Sequence, residues 1–163
     1  MAEQHLSIYL SDHLAGGVAA LEILAHLQRA HPDTAIARIA SELHADVTED
    51  HQQLDTLMRR AGLTPSRARQ ATAWLVEKAA ELKVRVDDPT DGALRLLETL
   101  EGLALGIDGK CALWEGLTVV AVDVPALQGV DYARLIQRAR TQRGRVEALR
   151  LEAAKAALNR VPG

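Results

Sequence analysis

The sequence predicts an all-α domain: an antiparallel four-helix bundle, up-down with one long crossover, plus a shorter helix on that crossover. Three observations predict it. Alanine and leucine, 28 and 25 residues, make up about a third of the 163-residue chain, and both stand high on the helix-propensity scale. Aromatic residues are 2 % of the chain, with no Phe, so strand formers are sparse. Apolar residues recur at spacings of three and four through four long segments. The length suits one domain, at roughly 100–200 residues per domain, and 1–163 reads as a single unit.

The first helix is expected over about 4–30, with Leu6, Leu10, Leu14, Gly17, Leu21, Leu24 and Ala25 on one arc. It ends at His31-Pro32, because the residue before a proline is pushed out of helical geometry. Asp33 is the expected N-cap of a second helix over 34–61, whose stripe is Ile36, Ile39, Leu43, Val47, Leu54, Leu57 and Met58. Gly62 supplies the stop, with Arg59 and Arg60 in the last turn, where the helix dipole favours cations. Thr64-Pro65 then reads as N-cap and first position of a crossover helix over 65–83. Trp74 on that helix, like Trp114, is expected to wedge helices or a subunit contact.

The next long helix is expected over 91–118 and contains Gly102, Gly106, Gly109 and Gly116. Each glycine costs about 1 kcal/mol against alanine in a helix interior. Close backbone approach to a neighbour is the simplest compensation, and a break near 106–109 the alternative. The last helix is expected over 131–158, capped by Asp131. The connections near 31–33 and 119–130 are short and join antiparallel neighbours. The middle one is long enough for a crossover.

Net charge is −3 but unevenly spread. Residues 1–50 carry eight acids and two arginines, whereas 131–163 carry three acids and eight bases. The basic residues surround a helix without aromatic partners for stacking, so nucleic acid is not an expected partner. The single cysteine, Cys111, excludes an intramolecular disulfide and fits a reducing, cytoplasmic setting. The stretch from Leu14 to Leu27 is interrupted by Glu22 and His26, so no membrane span is expected. The small residues of the first helix and of the 91–118 helix would permit a homo-oligomer.

The informative charges fall within or beside apolar arcs when each helix is laid out at roughly 100° per residue. Asp50 sits among Val47, Leu54 and Leu57. Glu101, Asp108 and Glu115 form a stripe at one flank of the 91–118 arc. Arg143 and Arg150 lie near the middle of the last helix's arc, beside Gln142. Isolated charges are rarely buried, because desolvation costs several kcal/mol. The expectation is therefore an interior or semi-interior network of Arg143 and Arg150 with some of Asp50, Glu101, Asp108 and Glu115.

With Asp12-His13-Leu14-Ala15-Gly16-Gly17, Ala20-Leu21-Glu22-Ile23-Leu24 and the run from Glu101 to Lys110, the pattern resembles the ferritin-like superfamily and small bacterial helical proteins of that shape. The resemblance covers the architecture of nearly the whole chain. Di-metal members use a Glu on each of two helices and a Glu-x-x-His pair on each of the other two. Glu22, Asp50 and Glu101 match best here. However, the second helix offers Asp50-His51-Gln52-Gln53, and no Glu-x-x-His occurs in the chain. A guanidinium beside such a site opposes cation binding. The resemblance thus implies a non-enzymatic protein without a cofactor, with a charge network in place of the metal pair. A metal-binding protein holding iron or manganese through those three acids is one alternative. A bundle that binds a small ligand or a protein between or through its helices is the other.

Overall fold

The computed structural model describes residues 2–63 and 92–159, and all of its long elements are helices. They are α1 (Ala2–Ala30), α2 (Ala35–Arg60), α3 (Gly92–Val120) and α4 (Tyr132–Leu158), with a 3-10 turn at Pro125–Leu127. The crossover helix expected over 65–83 and the helix start at Asp91 lie outside the described residues.

Local chemistry accounts for the helix ends. Thr34, not Asp33, caps α2: its hydroxyl accepts a hydrogen bond from the Ala37 N–H at 3.3 Å and donates to the His31 carbonyl at 2.6 Å. Asp33 instead adopts a positive φ of 61°, a conformation short polar side chains tolerate. Gly62 follows the end of α2 at φ 67°, a left-handed position that favours glycine. Asp131 caps α4, accepting from the Arg134 N–H at 3.0 Å.

The helices pack mainly as two pairs, α1 with α2 and α3 with α4. The α3–α4 connection is fastened at two points. Arg60 at the end of α2 donates to the carbonyls of Ala126 and Gln128, and the buried Tyr132 hydroxyl donates to the Leu127 carbonyl at 2.6 Å.

The hydrophobic core is divided. One half gathers Leu10, Leu14, Leu54, Leu57, Leu113, Trp114, Leu127 and Leu135. The other gathers Leu24, Leu27, Leu43, Val47, Leu100, Ile107, Ala139 and Val146. Along α2 the division falls between Val47 and Leu54, and along α3 between Ile107 and Leu113. Asp50 and Lys110 occupy those intervals. A polar layer thus crosses the middle of the apolar interior.

By length and composition alone, α1 over Glu3–Ala30 suffices to cross a bilayer. Glu22 and His26 interrupt the apolar run, but the mean hydropathy along the helix stays high. Here Leu10, Leu14, Ala15, Leu24 and Leu27 of α1 are buried against the other helices.

Candidate functional site

The polar layer is built around Asp50, only 3 % exposed. Its Oδ1 accepts from Arg138. Its Oδ2 accepts from the Lys110 ammonium at 2.6 Å and from Gln142 Nε2 at 3.1 Å. Gln142, fully buried, also accepts from Lys110 through Oε1. Arg138 reaches outward to the exposed Glu49. Three helices therefore converge on one carboxylate: α2 through Asp50, α3 through Lys110, and α4 through Arg138 and Gln142. Both oxygens are bonded, as a buried carboxylate requires.

Electrostatics differ between the two cations. Burial, the largest influence on Lys110, disfavours its ammonium and lowers its pKa. Arg138 acts in the same direction, while the Asp50 and Asp46 carboxylates oppose it. Desolvation also works against Arg138. Its hydrogen bonds and charge interactions with Asp50 and Glu49 outweigh that and hold its pKa above the ordinary value.

The arginines expected at the centre stand further out. Arg143, 31 % exposed, pairs with Asp108 at 3.2 Å and Glu147 at 2.7 Å. Arg150, 25 % exposed, pairs with Glu147 at 2.6 Å and Glu101 at 3.6 Å. Glu115 pairs with Arg140 at 3.0 Å. Neither Arg143 nor Arg150 touches Asp50, whose cations are Lys110 and Arg138. The reason is the rotation of α4: Ala139, Gln142 and Val146 face inward, which turns Arg143 and Arg150 toward the seam with α3. Lys110 and Arg138 do not stand out in the sequence as charges on an apolar arc. Lys110 lies three residues from both Ile107 and Leu113, but a long cationic side chain at such a position also fits a snorkelling surface residue.

Beside the polar layer is a cleft of about 320 Å³ between α1, α2 and α3. Its walls are largely apolar, from Ile23, Val47, Leu54, Leu103, Ile107, Leu113 and Trp114. Asp50 and Lys110 contribute at the polar layer, and Asp12, His13 and His51 also line it. Burial lowers the His13 pKa, with Asp12 opposing, which favours a neutral imidazole.

The glycines explain why the cleft stays open. Gly16, Gly102, Gly106 and Gly109 line it, and a Cβ built at any of them meets no atom of the described residues within 4 Å. Gly102, Gly106 and Gly109 therefore mark no close approach among the described helices, whereas a Cβ at Gly116 would lie 3.9 Å from Tyr9 Oη, and α3 runs unbroken through 106–109. Gly17 does make a tight approach, its added Cβ falling 2.9 Å from His51 Cδ2. Trp114 is 1 % exposed and packs in the core beside Tyr132, at 6.4 Å between ring centroids.

The side chains do not fit the di-metal arrangement that the resemblance brings to mind. Glu22 is exposed, Glu101 is exposed and paired with Arg150, and Asp50 is bonded to an ammonium and a guanidinium. Among the described residues, no three histidine, cysteine, aspartate or glutamate side chains gather as a metal-holding group. Cys111 is partly buried, and burial and the Glu115 carboxylate raise its thiol pKa against the influence of Arg140.

No protein-family model, curated protein or solved structure matches this chain.

Proposed function

We propose that this chain is an antiparallel, ferritin-like bundle that binds a small, mostly apolar molecule without catalysing a reaction. In this reading, the charge cluster of Asp50, Lys110, Arg138 and Gln142 stands where a di-metal bundle holds its ions. The carrying observation is the α1–α2–α3 cleft: about 320 Å³, apolar on most sides and polar at one layer. That combination suits a ligand held by apolar burial and oriented by a few polar groups. Further support comes from Gly102 and Gly106. Glycine weakens a helix interior, yet among the described residues no neighbouring atom requires either residue to lack a Cβ.

Fluorine NMR with para-fluorotoluene tests the reading. Saturable binding to the native chain, abolished in Gly106→Leu, is the expected result. Binding unchanged by that substitution, or no binding by any member of a panel of similarly sized aromatic and aliphatic probes, would overturn it.

A further inference from the structure

The polar layer holds a lysine in surroundings that activate amines. Lys110 lines the cleft with 15 % of its side chain exposed. Leu103, Ile107 and Leu113 share that wall. The Arg138 guanidinium is bonded to the same carboxylate as the Lys110 ammonium. Apolar surroundings and a second cation both ease the loss of an ammonium proton, which exposes the nucleophilic lone pair. Burial and Arg138 lower the Lys110 pKa, although Asp50 opposes them. Lys155 offers a contrast within the same chain: it is 67 % exposed and paired with Glu152 on the surface.

On the basis of the cleft reading above, we infer that Lys110 captures an apolar aldehyde or ketone as a reversible imine. The ammonium passes a proton to the Asp50 carboxylate it already touches, and the nitrogen lone pair attacks the carbonyl carbon. The resulting carbinolamine takes the proton back on its hydroxyl group and loses water. One C=N bond replaces one C=O bond, the oxygen leaves as water, and no oxidant or reductant is consumed. The protonated imine keeps one N–H and its positive charge, so Asp50 retains a cationic partner.

The chain has only four lysines, Lys78, Lys83, Lys110 and Lys155, which makes the adduct simple to locate. The full chain is incubated with para-fluorobenzaldehyde and sodium cyanoborohydride, which reduces the imine to a stable amine, and is then mapped by peptide mass spectrometry. Lys110 is expected to label several-fold faster than Lys155. Gly106→Leu and, as a second cleft-filling variant, Gly102→Leu should suppress labelling at Lys110 and leave Lys155 unchanged. Labelling of Lys110 no faster than Lys155, or labelling indifferent to both variants, overturns the inference. Para-fluorotoluene, which has no carbonyl, separates the two claims. If it binds in the cleft while Lys110 stays unlabelled, the imine fails and the binding cleft stands. If neither probe engages the cleft, both fail.

Discussion

The Lys110 ammonium lies 2.6 Å from the Asp50 carboxylate, joining α2 to α3 inside the protein. Arg138 and Gln142 of α4 bond the same carboxylate. Removing Asp50 therefore takes the carboxylate from Lys110 and one hydrogen bond each from Arg138 and Gln142, all inside or beside the buried layer. Asp50→Ala should lower the unfolding free energy by about 3–5 kcal/mol, the range for breaking a buried pair. Urea denaturation measures this. Lys110→Met leaves Asp50 with Arg138 and should cost less. A loss under about 1 kcal/mol in Asp50→Ala would place that carboxylate among ordinary surface charges.

The outer pairs should behave differently. Arg143 and Arg150 keep 31 % and 25 % of their side chains exposed, and their partners Asp108 and Glu101 are more exposed still. Arg143→Ala and Arg150→Ala should each cost about 0.5–1 kcal/mol, as exposed pairs do. A loss of about 3 kcal/mol in either variant would show a buried role.

Glycine substitutions separate open space from close contact. Gly102→Ala and Gly106→Ala add a methyl group where no atom of the described residues lies within 4 Å. Each should raise stability by about 1 kcal/mol through helix propensity. Gly17→Ala should lack that gain, because the new methyl group would displace His51. Thermal unfolding of the three variants checks the ordering.

Acid sensitivity follows from Glu147. Hydrogen bonds from Arg150 and then Arg143 hold its pKa at about 2, against an ordinary 4.5. The unfolded chain therefore takes up this proton at a higher pH than the folded chain does. The stabilisation is complete above the ordinary value and is lost as pH falls toward the folded one. Glu147→Gln should lower the thermal midpoint near neutral pH, and the difference should shrink across that acidic window. His13 acts in a higher range. Its lowered folded pKa favours the neutral ring, so its contribution declines as pH falls below the ordinary 6.5. A thermal midpoint unaffected by Glu147→Gln at neutral pH would contradict the Glu147 assignment.

Metal content gives an independent check on the charge cluster. Protein isolated without chelator should carry well under one equivalent of iron or manganese per chain by elemental analysis. About two equivalents would point to the di-metal alternative instead.

Much of the helical architecture was legible because apolar spacing and end signals act locally. Pro32, Gly62 and Asp131 mark boundaries near those observed, whereas the cap assigned to Asp33 falls to Thr34. Asp50 was legible as a charge among Val47, Leu54 and Leu57. Its partners were less so, because they depend on how α3 and α4 are rotated against α2. One helix's pattern fixes its apolar arc only to within a residue or two, enough to exchange Arg143 for Arg138. The α3 glycines show the same limit. Their spacing marks a surface without side chains, but the distance to the facing helix decides whether that surface is a contact or a cleft.

Methyl-resolved NMR during titration with para-fluorotoluene tests the central claim most directly, because it locates the ligand. The account predicts saturable shifts at Ile23, Val47 and Ile107, which line the cleft. It also predicts that Leu127 and Leu135, in the other half of the core, stay unmoved. Shifts confined to Leu127 and Leu135, or none that saturate at the cleft methyl groups, would contradict it.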